Sequence, residues 1–494
     1  MKQCVNQVIA TAFFHATFGV SAYYHLSSLN QVQSLVENLV NASISEHYGV
    51  EPSSKSLAWF WASICVAAPI GSVLGSVPLR YSFDHLGRRD TCMVAKNLIQ
   101  ILSSFLQFAS VPFISIELLL LGRFLSGVAL IMSSAVPVFM TECAPVVQRG
   151  SVAALSFLGA PVWTIAGSVL TMSQLLGSAD RWHYALLVPA LPSVVHLAFA
   201  RAIPESPKFL CLDRKNLRAC EKALLFYHGD QVNINEVVEE FERENRSSTA
   251  GQKVTWTELC LFRQLRWPLV LCVVANMSQS FSGTDLSMQY STELFKGLGL
   301  SASNAAISTV CIGQIPGLFL SVIGLILIER CGRRVLLLTG IAMGITGCGL
   351  LFAGQLTKTD STLAPILGVL GILLCGSSNN IGPSFISYML PGELSPQSCR
   401  SMVSSVSFVA SWLPAILIIW IYPPLQLKIG AFAVLPLIVA GVIVFGFLFV
   451  FLPETKGKPI DELMALWKTE DEDQDIPLTD SLSTAGDSYG TSKT

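Results

Sequence analysis

Asp84-His85-Leu86-Gly87-Arg88-Arg89 returns later in the chain as Glu329-Arg330-Cys331-Gly332-Arg333-Arg334, and from Gly87 to Gly332 the shift is 245 positions. A second string, running from Glu142 through Pro145 to Arg149-Gly150, returns as Glu393 to Arg400, with a shift of 251 between the glutamates. A third, Pro204-Glu205-Ser206-Pro207, returns as Pro453-Glu454-Thr455 at 249. One acid-plus-Gly-Arg-Arg string is an ordinary connection between helices. Three unrelated motifs in the same order at nearly one offset describe a duplicated chain.

The material between the motifs is lipid-soluble. Hydrophobic residues make up 52% and charged residues 13%, against about 25% charged in soluble domains, and the mean hydropathy is +0.57. Apolar runs near the length of a bilayer-crossing helix fall at 5–26, 57–79, 92–111, 114–138, 152–175, 184–201, 269–289, 305–328, 335–356, 363–389, 403–422 and 429–452. So many long apolar runs satisfy their backbone polar groups best as lipid-embedded helices. The expected fold is an all-α membrane protein of twelve transmembrane helices in two six-helix halves. Its divisions are 1–203 and 268–452 for the halves, 204–267 for a polar linker with short helices, and 453–494 for an acidic Ser, Thr and Gly-rich tail whose composition predicts disorder.

Basic residues set the orientation. Arg80, Arg88, Arg89 and Arg330, Arg333, Arg334 cluster after the second and eighth runs, whereas the loop after the first carries Glu37, Glu46 and Glu51. The basic loops belong in the cytoplasm, and an even number of spans places both termini there. The first run is read as a span rather than a cleaved signal, because its removal would leave an odd count. Asn41-Ala42-Ser43 then lies in the largest external loop as a glycosylation site, while the sequons at Asn245 and Asn276 fall in the linker and inside a span. None of the 13 cysteines lies between residues 26 and 57, so a disulfide framework is not expected. The net charge of −2 singles out no partner class, and no nucleic-acid partner is expected.

At the three motifs the chain resembles the sugar porter branch of the major facilitator superfamily, and most closely the animal facilitative glucose transporters. The resemblance extends to Arg123-Phe124 with Gly127, to Gln279 with Ser282-Gly283, and to Tyr290-Ser291-Thr292 and Trp412. It implies the major facilitator fold and, at the cytoplasmic ends, a gate of Asp84, Gly87, Arg88, Arg89, Arg123, Glu142, Arg149, Glu205, Glu329, Gly332, Arg333, Arg334, Glu393, Arg400 and Glu454. Arg88 or Arg89 would meet Glu142 or Glu205, Arg333 or Arg334 would meet Glu393 or Glu454, and Arg149 and Arg400 would cross to the opposite half. The resemblance also implies a central solute site of amides and an indole, here Gln279, Ser280, Asp285, Tyr290, Asn380, Tyr388, Trp412, Phe157 and His25. Several of these depart from the family pattern: Phe157 and Ser280 stand for glutamines, Asp285 and Gly317 for asparagines, Asn380 for an acid, Tyr388 for a tryptophan. His25 stands where proton-coupled relatives carry an aspartate. His15 and His196 read as packed or hydrogen-bonded structural residues.

The function implied is alternating-access transport of a hexose, polyol or related small polar solute, as facilitated diffusion at the plasma membrane. A proton-linked carrier using His25 and Asp285, an organic-anion carrier, and a non-transporting sensor are the alternatives. With no GxxxxGK[ST] loop and no clear metal-ligand cluster in the sequence, neither an enzyme, an ATP-driven pump nor a cofactor is expected, and membrane lipid is the surrounding partner. If the orientation is right, Asn41→Gln abolishes the N-glycan shift on a gel; a shift that persists in that variant would overturn it.

Overall fold

A computed structural model describes residues 2–145, 148, 152, 155–156, 158–229, 232–250, 254–357, 363–396, 398–458 and 460–467. Arg149, Phe157 and the acidic tail lie outside the described residues, and of Glu329 only the backbone is described. The described elements are helical. Among the described residues, seven helices are long and apolar enough to cross a membrane: Ser54–His85, Arg88–Ala109, Ile116–Cys143, Ala302–Ile328, Arg333–Leu356, Leu363–Leu394 and Met402–Phe451. The last holds two spans, Arg400–Ile429 and Leu435–Phe451, which meet at Gly430.

Of the remaining four, spans 1, 6 and 7 are interrupted, and span 5 runs partly through residues outside the described ones. Span 1 is Lys2–Phe14, a π-turn at His15–Gly19 and a 3-10 stretch at Ser21–Leu26. Span 5 contains Gly159–Leu170, and span 6 joins Trp182–Leu187 to Ala190–Ala198 across Pro189. Span 7 breaks between Arg263–Phe281 and Thr284–Gly297. With those above, the count is the expected twelve. The linker supplies Pro207–Leu212, Leu217–His228, Ile234–Ala250 and Trp256–Leu261, the last closed by a Thr255/Glu258 capping box.

In lipid, helices gain no hydrophobic energy from pairing, so close backbone approach through small residues holds them together. Spans 2 and 4 show this. A Cβ on Gly127 would stand 1.8 Å from the Ala68 carbonyl oxygen, and one on Gly71 would stand 2.0 Å from that of Phe124. The break in span 7 has a similar cause. Gly283 has φ +77° and lies where a Cβ would come 2.6 Å from Cys348 Sγ and 2.9 Å from Cys375 Sγ, so conformation and space both demand glycine.

The first half is also held by a buried polar chain. Asn97 Nδ2 donates to Met93 O (2.6 Å) and to His196 Nδ1 (2.8 Å), so His196 carries its proton on Nε2. That nitrogen donates to His15 Nδ1 at 2.8 Å. Lys96 Nζ donates to Gly19 O at 2.9 Å, at the end of the π-turn. All four side chains are fully buried, as expected of polar groups that must find partners away from water.

The halves meet at the face opposite the Gly-Arg-Arg turns. Asn30 Nδ2 donates to Met288 O (3.0 Å) and Ser291 Oγ (2.9 Å), Gln31 Nε2 to Ala306 O (3.2 Å), and Gln174 Nε2 to Ser303 Oγ (2.6 Å). Gln314 Nε2 donates to Ser168 Oγ at 2.7 Å, and Trp59 meets Trp420 edge to face at 5.5 Å.

Gly127→Ala is expected to destabilise the detergent-solubilised protein by about 1–3 kcal/mol, the usual cost of overpacking. Gly349→Ala, where a Cβ meets nothing within 4 Å, should leave the melting temperature unchanged or slightly raised. Equal melting temperatures in the two variants would contradict this packing.

Candidate functional site

The duplicated motifs build the same constellation twice. Arg88 Nε lies 3.2 Å from Glu142, and Arg333 Nε lies 3.1 Å from Glu393. Glu205 Oε1 accepts the backbone N–H of Arg89 at 2.9 Å; Glu454 accepts those of Arg333 and Arg334 at 2.9 and 3.2 Å. Gly87 and Gly332, at φ +99° and +89°, turn these amides toward the carboxylates. Ser206 Oγ donates to Glu142 Oε2 at 2.6 Å, and Thr455 Oγ1 to Glu393 Oε2 at 2.5 Å. Each glutamate on span 4 or 10 therefore binds both the turn after span 2 or 8 and the segment after span 6 or 12.

The two hydroxyls were absent from the expected residues, although Pro-Glu-Ser and Pro-Glu-Thr repeat at the same offset. Asp213, 3.2 Å from Arg88 Nη1, was also missed, since nothing in the linker's composition marks it. These ion pairs lie within one half each. Arg400, expected to cross, donates at 3.4 Å to Ser395 O of its own half. Arg89 Nε pairs with Asp90 at 2.8 Å, and Arg334 donates to Phe449 O. Asp84 is exposed at the end of span 2.

Arg123 does not belong with this group. It lies about two turns into Ile116–Met132, at the end remote from Glu142, fully buried, donating to His25 O and at 3.4 Å to Ile64 O. This lone arginine inside the bundle meets carbonyls rather than a carboxylate, and its Nη2 is buried without a partner among the described residues.

The breaks in spans 7 and 10 bring the solute-site residues to the middle of the second half. Gln279 is half-buried, its Nε2 3.4 Å from Asn276 Oδ1, and Ser280 Oγ donates to Ser411 O at 3.2 Å. Tyr388, 38% exposed, reaches Gln279 and Ser411 with its hydroxyl and stacks on Phe408 at 5.0 Å. Trp412 packs on Ala22, Ala129 and Leu130 of the first half, and its Nε1 has no hydrogen-bond partner among the described residues. Asp285 sits in the first turn of Thr284–Gly297, with Oδ2 buried and likewise without a partner. Asn380 Oδ1 accepts from Ser321 Oγ at 3.1 Å, and its amide fills the space above Gly317, where a Cβ would come 2.5 Å from Nδ2.

Two expected site residues sit apart from this group. Tyr290 is buried and donates to Ile419 O at 2.7 Å, tying span 7 to span 11. His25 lies in the first half, its Nε2 3.5 Å from Ser104 Oγ.

A family model described as "Sugar (and other) transporter" matches residues 11–467. The chain belongs to that family. It is a multi-pass membrane transporter, not an enzyme. Among curated relatives it is 26% identical over 441 residues to facilitated glucose transporter member 7 of Mus musculus, covering 89% of this chain and 86% of that one. It is 28% identical over 456 residues to member 3 of the same species, covering 91% and 90%. The inward-open xylose transporter XylE from E. coli superposes with TM-score 0.73 at 20% identity, covering 93% of this chain and all of the other, 100%. The expected major facilitator fold is thereby shown.

Glu205 is 7% exposed. Burial raises its carboxyl pKa above the ordinary range, opposed by the amides of Arg89 and Ser206. A raised carboxyl pKa means that the folded protein disfavours the charged form. The resulting destabilisation exists above that pKa and is relieved as pH falls through it. Glu205→Gln keeps an acceptor and removes the buried charge, so it should be mild. Glu205→Ala strands two N–H groups and should lose about 1–3 kcal/mol; equal losses in thermal unfolding of the two variants would refute the capping role.

Proposed function

We propose that the chain carries a hexose or related small polar solute across the plasma membrane by alternating access, as facilitated diffusion, with both termini and the Gly-Arg-Arg turns cytoplasmic. The observation that carries this reading is the grouping of Gln279 and Tyr388, beside the breaks of spans 7 and 10, with Trp412 of span 11. It offers amide, hydroxyl and indole groups at mid-membrane, where irregular backbone is tolerated only around a cavity. Hydroxyls need such donors and acceptors, and sugar faces stack on aromatic rings.

Passive movement is favoured by the first half. Arg123 donates to the carbonyls of His25 and Ile64, and span 1 carries no Asp or Glu to titrate against it. The bonds from Asn30, Gln31 and Gln174 to the second half close the external side, leaving the site to open toward the cytoplasm. The ion pairs inside each half keep its cytoplasmic ends rigid while the halves rock.

In proteoliposomes, labelled D-glucose should equilibrate down its gradient without exceeding the external concentration. Gln279→Ala and Trp412→Ala should each raise the half-saturating concentration about fivefold, the worth of a hydrogen bond of about 1 kcal/mol. Accumulation driven by an imposed proton gradient would replace uniport with symport, and wild-type kinetics in both variants would move the site elsewhere.

A further inference from the structure

Asp285 is the one Asp, Glu, Lys, Arg or His within the apolar interiors of spans 7 to 12; Glu293, Lys296, Glu329, Arg330, Arg333, Arg334, Glu393, Arg400 and Lys428 all stand at span ends. Its Oδ2 is buried and has no hydrogen-bond partner, and Asp285 forms no ion pair among the described residues. The two cations buried in the first half are committed elsewhere, Lys96 to Gly19 O and Arg123 to His25 O. Of the nearby hydroxyls, Ser280 is shared between the Asp285 carboxylate and Ser411 O, and Thr284 donates to Cys375 O at 3.2 Å.

A carboxylate in the membrane interior without a counter-ion is costly and marks a functional site. Its place in the first turn of a helix favours the negative charge and leaves it without a protein cation. The neighbouring groups suit a polyol. Tyr388 stands within electrostatic reach of Asp285 and hydrogen-bonding reach of Gln279, and the indole N–H of Trp412 is unspent.

Building on the transport reading above, we propose that this site selects a polyhydroxylated solute bearing one protonated amine, an amino sugar, over the corresponding neutral sugar, with Asp285 binding the ammonium group. A charge-assisted ammonium–carboxylate contact is about twice as strong as a neutral hydrogen bond. A neutral cargo would leave the carboxylate unpaired and desolvated.

The test uses the full chain in proteoliposomes, with exchange of labelled D-glucose and labelled D-glucosamine at a pH that keeps the amine protonated. Competitors are unlabelled D-glucosamine, N-acetyl-D-glucosamine and D-glucose. D-glucosamine should half-inhibit at a concentration about tenfold below either neutral sugar. Asp285→Glu should keep that order, and Asp285→Asn should narrow the difference to about twofold or less.

Equal competition by the amine and its acetylated form in the wild type would overturn the proposal without any variant having to fold. So would a preference that survives in Asp285→Asn, or proton-driven accumulation of D-glucose that Asp285→Asn abolishes. Exchange of neutral sugar without amine preference would sink this inference alone, whereas exchange of neither tracer would sink the transport reading with it.

Discussion

Every backbone N–H and C=O within the hydrocarbon must be bonded by the protein itself, and this constraint decides where the chain can depart from a regular helix. Among the described residues the departures include the π-turn and 3-10 stretch at 15–26, the π-turns at Thr91–Ala95 and Thr309–Gln314, Ser282-Gly283 in span 7, and Asn379–Ile381 with Gly382 in span 10. Those at the glycines are covered by packed protein. Gly283 lies against the thiols of Cys348 and Cys375, Gly382 against the backbone of Leu336, and Gly19 against Lys96 and His196. The irregular backbone therefore stays where neighbouring helices can pack over it and satisfy it.

The charged ends obey a different constraint. An arginine at a helix connection has water within reach, so its pairing adds little to folding on its own. What gives the Arg88–Glu142 and Arg333–Glu393 pairs structural weight is that the same glutamates also accept a hydroxyl from the segment after the sixth span of their half. Three chain segments, distant in sequence, are tied at one point. The tie holds the cytoplasmic ends of each half together, while bonds such as Asn30 to Ser291 join the two halves at the opposite face.

The two halves, the spans and the motif offsets were legible in the sequence because they are local: an apolar run, a glycine before two arginines, a proline beside a glutamate. The breaks within the spans were not, because they are set by what packs against them. Partnerships were not. Nothing in the spacing of Arg88 distinguishes Glu142 from Glu205, because both arrive through helix packing across more than fifty residues. Arg123 was grouped with the cytoplasmic charges because a motif match carries no depth along a span, and the 3-D position of Ile116–Met132 corrects that. Asp285 stood out at once, since a lone carboxylate in an apolar run is a compositional anomaly, whereas its lack of a counter-ion could be read only from the packed bundle.

The interiors of the halves have diverged where the ends have not. Spans 1 to 6 hold His15, His25, Lys96, Arg123 and His196, linked to carbonyls and to one another, while spans 7 to 12 hold Asp285 alone. The ends do the same work twice, fastening a turn to a helix, so the duplication keeps their geometry. The interiors do different work. Both interiors keep buried polar atoms without partners among the described residues, Arg123 Nη2, His25 Nδ1 and Gln100 Oε1 in the first half and Asp285 Oδ2 and Trp412 Nε1 in the second, but only in the second is one of them a carboxylate oxygen. Of these atoms the carboxylate oxygen is the costliest to leave unpaired in the hydrocarbon, so on the transport reading proposed above the second half would supply the charged contact to the cargo and the first the surface against which it closes.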